Sequence, residues 1–201
     1  HSEYAQSIEV IKGPASAFWG SNALHGLVNV ILPRPGEVGE LSLEQGPRGS
    51  YRAKAAMGSD NGNFKQSLYI TGINEEGYRD DSGVDQQKVS WLYENSLANG
   101  IKMEGGFTYN NLNQETAGYV AGAKAYADSD KRDTNPNPEA YRDSQSTRAW
   151  TRVTMESGSW EITATPYFRE VNMSFVQHYL PGQPIEDNEH RSIGIQIAAF
   201  R

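Results

Sequence analysis

The chain contains no cysteine, which excludes a disulfide framework, thiolate metal sites and thiol nucleophiles in one step. It has no run near the roughly 18 apolar residues that a membrane-crossing helix requires. Positive charge is also short: the formal net charge is −7 and no basic stripe is visible, which argues against nucleic acid as a partner. Apolar residues make up only 37% of the chain, a low share for a protein with a single packed core. Disorder is nevertheless not the expectation, because aromatics reach 10% and tyrosine alone occurs 11 times. A polar chain rich in aromatics suits an architecture with two different surfaces. The sequence opens at His1 and stops in mid-pattern at Phe200-Arg201, so it is expected to be a piece of a longer protein.

What is present is period-two alternation. Met103, Gly105, Phe107 and Tyr109 alternate with Lys102, Glu104, Gly106 and Thr108, and the same grammar recurs through Val153 and Met155 and through Ile193, Ile195 and Ile197. Noisier alternation covers 41–45, 51–57, 64–73, 87–97 and 160–172. These predict about eight strands near ten residues each, with one apolar and one polar face. Two architectures use such strands. A sandwich seals the apolar face against a second sheet, whereas a membrane barrel turns it to lipid and keeps the polar face in a wet lumen. Strand length favours the barrel, since soluble strands are usually five or six residues and tilted membrane strands about nine to eleven.

The connections point the same way. After the first hairpin, the gaps alternate between short (59–63, 98–100, 157–159) and long (74–86, 110–146, 173–189). Short turns at one end and long loops at the other are barrel grammar. The charges Lys88, Glu94, Lys102, Glu104, Arg148, Arg152, Glu156, Glu161 and Arg169 are expected on the lumen face. Tyr69, Trp91, Tyr93, Tyr109, Trp160 and Phe168 would suit aromatic girdles at the membrane interfaces.

The stretch 8–32, IEVIKGPASAFWGSNALHGLVNVIL, is of another kind. It holds two short strands with apolar residues expected to be buried on both faces, joined through glycines, and a stiff Pro33-Arg34-Pro35-Gly36 linker follows. It closely resembles the end of the plug domain of TonB-dependent outer-membrane receptors. The residues that carry the likeness are Ile8-Glu9-Val10-Ile11-Lys12-Gly13-Pro14, Ser16, Trp19-Gly20, Ala23, Gly26 and Val28-Asn29-Val30-Ile31. Trp19 stands where the family usually has Tyr, and His25 where a second Gly is common. The resemblance implies an all-β piece of a plugged, antiparallel transmembrane barrel of 22 strands, with a small α+β plug remnant over 1–35 and the first eight or so wall strands over 36–201. It further implies outer-membrane lipid around the wall and energised import of a scarce nutrient, with an iron-siderophore complex preferred and cobalamin, haem or carbohydrate open. An inner-membrane TonB energy complex would act through a segment outside this chain.

Within that frame Glu9, Lys12, Arg34, Arg148 and Arg152 are candidate plug–wall contacts. The long gap 110–146 offers Tyr119, Tyr126, Arg132, Tyr141 and Arg142 as a candidate ligand-facing loop, since tyrosine with arginine suits an aromatic or anionic chelate. Neither a cofactor nor catalysis is expected. The glycines of GPASAFWGS lack the Gly-Lys-Ser/Thr of a phosphate loop, no Gly-x-Ser-x-Gly elbow occurs, and His1, His25, His178 and His190 are not at metal-ligand spacing. The competing classes are a passive porin and a soluble β-sandwich binding module.

Overall fold

The computed structural model describes residues 2–14 and 23–201. The chain divides into two compact units, His1–Arg34 and Pro35–Arg201.

The first unit holds an antiparallel hairpin, β1 (Ser7–Lys12) and β2 (Gly26–Ile31), in which Val10 faces Val28 and Ile8 faces Val30. Among its described residues the helical content is one 3-10 turn, Ser2–Tyr4. The expectation of burial on both faces fails for β1, which is exposed along its whole length. A two-stranded sheet has no second layer to cover it.

The second unit is one eight-stranded antiparallel meander in strict chain order. Its strands are β3 (Gly39–Gln45), β4 (Tyr51–Asp60), β5 (Phe64–Glu75), β6 (Val84–Ser96), β7 (Lys102–Glu115), β8 (Tyr141–Ser157), β9 (Trp160–Val176) and β10 (Ile185–Phe200). They lengthen along the chain, from 7 residues in β3 to 17 in β8 and β9. Every neighbour pairs with its successor, so the register assigns each side chain to one of two faces. β8 and β9 keep a constant register, although the ladder is interrupted at Thr151, opposite Pro166, which has no N–H to donate, and at Arg152, opposite Thr165.

One face carries an apolar band without a single charge. It runs through Leu41 and Leu43, Ala55 and Met57, Leu68 and Ile70, Val89 and Trp91, Phe107, Val153 and Met155, Ile162 and Phe168, to Ile193, Ile195 and Ile197. These residues are not sealed against another layer: Leu43 is 77%, Ile193 84% and Ile197 71% exposed. On β9 the band runs from Trp160 to Phe168. At a rise of roughly 3.3 Å per residue and a tilt near 45° it is about 19 Å tall, somewhat under the roughly 25 Å apolar belt of membrane barrels.

All the charges expected on the polar face are there. The aromatics divide less cleanly. Phe64, Tyr93 and Trp160 mark the short-turn edge of the band, and Tyr51, Tyr109 and Phe168 its other edge. Tyr69 is a correction. It lies buried on the polar face, because it is out of phase with Leu68 and Ile70.

Local packing explains a glycine in the middle of β7. Tyr93, Gly105 and Thr151 occupy one row across three strands, and Tyr93 lies over the glycine to reach Thr151, hydroxyl to hydroxyl at 2.8 Å. A Cβ at Gly105 would stand 2.5 Å from the Tyr93 ring.

Candidate functional site

The meander sends its connections alternately to two ends. One end has turns 61–63, 97–101 and 158–159; the other has 46–50, 76–83, 116–140 and 177–184. The chain reaches β3 from the short-turn end over the polar face: Gly36 donates its N–H to Ser67 Oγ at 3.0 Å and accepts from the same hydroxyl, and Gly58 N–H donates to Val38 O.

At the long-loop end the apolar alternation stops but the strands do not. Asn111, Gln145 and Asn172 form one cross-strand row, and Asn113, Asp143, Ser174 and Asp187 the next. The strands therefore rise beyond the apolar band, and the long loop is 116–140, shorter than the gap expected. Tyr141 and Arg142 consequently belong to β8 rather than to the loop. Tyr141 meets Ser174, hydroxyl to hydroxyl at 3.3 Å, and the Arg142 guanidinium lies 5.8 Å from the centre of the Phe175 ring.

The four long-end connections form a linked layer. Arg48 lies over the Tyr78 ring, tying 46–50 to 76–83. Arg79 then crosses to the long loop, donating from Nε and Nη2 to Thr134 O at 3.0 and 2.7 Å and from Nη2 to Gly118 O at 2.6 Å. Asp80 N–H donates to Asp133 O, and Asn135 donates to Asp81 O. Glu139 reaches the last loop. Its carboxyl is held below the usual range first by its own backbone N–H, with Gln183, Asn137 and the charge of His178 assisting against desolvation. Sequence reasoning missed Arg79. Its partners are 39 and 55 residues away, and the only signal was its place in a turn-rich segment.

On this layer Tyr119 and Tyr126 project outward, 88% and 80% exposed. Arg132 is paired with Asp133 at 3.4 Å. The structure thus presents two of the five candidate loop residues freely and engages Arg132, Tyr141 and Arg142 with neighbours.

Among the candidate plug–wall contacts, Arg152 already pairs with Glu104 on the wall at 2.8 Å, while Arg148 faces Arg169 across β8 and β9. In the first unit Glu9 accepts a hydrogen bond from Asn29 at 3.1 Å across the hairpin, and Lys12 faces Gly26. Arg34 ends that unit. Of the motif residues, Gly13 donates its N–H to His25 O at 3.1 Å, and Pro14 follows directly. Gly26 has φ +142°, and a Cβ there would run into Ile11 O, so no other residue fits. Ser16, Trp19 and Gly20 lie outside the described residues. Among the described residues no three metal-ligating side chains cluster.

Comparison with solved structures decides what this architecture is. The siderophore receptor PiuA from Acinetobacter baumannii superposes on 98% of this chain with a TM-score of 0.79 at 13% identity. The chain has the fold of a segment of such a receptor. The pyoverdine outer-membrane receptor FpvA from Pseudomonas aeruginosa matches 98% of it at a TM-score of 0.78 and 13% identity. The ferric yersiniabactin uptake receptor FyuA from Yersinia pestis matches 97% at 0.75 and 15%. The chain spans about a third of the length of these proteins: 32% of PiuA, 32% of FpvA and 33% of FyuA. No protein-family profile and no curated protein matches the sequence. In that fold the meander is a stretch of barrel wall with one apolar and one polar face.

Proposed function

We propose that this chain is the end of the plug and the first eight wall strands of a TonB-dependent receptor of the bacterial outer membrane. It serves energised import of an iron-siderophore complex and is no enzyme. The observation that carries the reading is the correspondence of nearly the whole chain with a siderophore receptor, a pyoverdine receptor and a ferric yersiniabactin uptake receptor. The exposed apolar band supports it, since a soluble sandwich would bury that band and a porin would have no use for the motif of the first unit. The projecting Tyr119 and Tyr126 suit aromatic or anionic cargo. In this reading the TonB complex acts through a segment outside these 201 residues.

The test is uptake of radioactive iron by a strain deleted for the full-length receptor, grown in iron limitation on the host's own spent medium. Deletion should abolish uptake, and a protonophore should abolish it in the parent. Unchanged uptake after deletion would refute the reading. Uptake indifferent to the protonophore would favour a passive pore. Growth dependence on cobalamin, haem or a sugar would keep the transporter and change its cargo.

A further inference from the structure

The chain does not run straight into its first wall strand. Pro33 and Pro35 flank Arg34, and since proline fixes its own backbone and has no N–H, this stretch is stiff and has few donors to spend. Gly36 then lies across the sheet rather than along β3, over Gly58 of β4 and Ser67 of β5, which are direct register partners. Ser67 Oγ accepts the Gly36 N–H at 3.0 Å and donates back to Gly36 O at 3.0 Å. One residue is thus held at both of its backbone polar groups by a single hydroxyl. Two positions on, Val38 O accepts from Gly58 N–H at 2.9 Å.

Both partners are shaped for this crossing. Ser67 is only 1% exposed, so water does not compete for its bonds to Gly36. A Cβ at Gly58 would stand 2.1 Å from Gly36 O and 2.9 Å from Ser67 Oγ, so glycine there lets the crossing backbone lie flat on the wall. β3 is a weaker hold. It is the shortest wall strand, with 7 residues, and among the described residues it pairs with β4 alone, starting at Gly39 opposite Met57. A sideways pull delivered at Gly39 would strain that ladder one pair at a time. Delivered at Gly36, the same pull meets two strands that are bonded on both sides.

From this arrangement we infer that Gly36, Gly58 and Ser67 form a mechanical stop. Tension that reaches Gly36 from upstream is taken up by β4 and β5, inside the sheet, and does not reach β3. The stiff proline stretch delivers the pull, the buried serine grips the chain, and the glycine makes room for the grip. The inference rests on the receptor reading, in which import is driven by a pull on a segment upstream, and it assigns the place in this chain where that pull ends.

The test is force spectroscopy on the full-length receptor in a supported bilayer, pulled from its N-terminus by a cantilever. In the parent the released chain should end at Gly36, with a distinct last rupture before the wall itself gives way. In Ser67→Ala the length released at that force should grow by about 30 Å, as residues 37–45 peel from β4. Gly58→Ala, which pushes Gly36 off the wall, should lengthen the trace likewise; if it does not insert into the bilayer, Ser67→Ala decides alone. Ser42→Ala, which removes a β3 hydroxyl bonded to Glu44, should reproduce the parent trace. A Ser67→Ala trace equal to the parent's would overturn the inference, and so would a parent in which 37–45 comes away together with the first unit. These traces need neither cargo nor an energised membrane, so failure of the stop is told apart from failure of the transporter reading, which the deletion experiment decides.

Discussion

Arg79 is expected to be the side chain that makes loops 76–83 and 116–140 move as one. Truncation to alanine removes the charged donor from two carbonyls, Thr134 O and Gly118 O. A hydrogen bond to a charged group contributes roughly 1.5–3 kcal/mol when sheltered. Arg79 is half-buried, so about 1 kcal/mol per carbonyl is a fair discount, or about 2 kcal/mol in all. At about 1.4 kcal/mol per tenfold change, local opening should become about 30 times more frequent. Hydrogen exchange on the full-length receptor in nanodiscs reads this directly. The Asp80 amide, bonded to Asp133 O, and the Gly118 amide, bonded to Asn135 Oδ1, should lose about 30-fold protection. The Ser96 amide, bonded to Asn63 O at the short-turn end, should not change. Arg79→Lys can satisfy only one carbonyl and should fall between, near fivefold. A loss under threefold in Arg79→Ala, or an equal loss at Ser96, would refute the reasoning.

Three further outcomes follow from the same geometry. Ile195→Lys, in the middle of the apolar band, should destabilise the protein folded into vesicles by about 2–4 kcal/mol, whereas Gln196→Lys on the opposite face should cost far less; urea titration decides. Gly105→Val would drive a side chain into the Tyr93 ring and break its bond to Thr151, costing about 1–3 kcal/mol in the same titration. Glu139 has a depressed carboxyl pKa, so its hold on loop 177–184 is complete above the usual carboxylate value and fades as pH falls through the lower, folded one. Protection of the amides in that loop, corrected for their intrinsic exchange rates, should fall as pH drops below the usual carboxylate value in the parent, and Glu139→Gln should remove that dependence.

Much of the wall is legible in the sequence because one face keeps a strict apolar rule over a fixed height. The alternation of Phe107 and Tyr109 with Lys102 and Glu104 gives strand, face and approximate length together. The rule ends where the apolar band ends. Beyond Tyr109 and before Thr147 both faces are polar, so the continuing pairs Asn111 with Gln145 and Asn113 with Asp143 read as loop. Tyr141 and Arg142 read as loop for the same reason. Tyr69 shows a different limit: aromatic identity suggests the interface, while its phase against Leu68 and Ile70 already opposes it. The links of the outer layer are out of reach of the sequence. Arg79 and Thr134 are 55 positions apart in segments with no periodicity to align them. Arg152 can be placed on the lumen face from alternation, but its pairing with Glu104 needs the register of β7 against β8. The hairpin of the first unit is readable from its motif because Gly26 tolerates no substitute, whereas the exposure of β1 depends on what covers it rather than on its residues.

The orientation of the wall can be measured directly with spin labels in nanodiscs carrying the full-length receptor. Labels replacing Met155, Ile195 and Ile197 should be relaxed by oxygen dissolved in the bilayer and shielded from a water-soluble nickel chelate. Labels at Arg148 and Gln196 should show no oxygen gradient. Finding Ile195 and Ile197 immobilised against protein, or reached by the nickel reagent, would contradict a lipid-facing band and the receptor wall built on it.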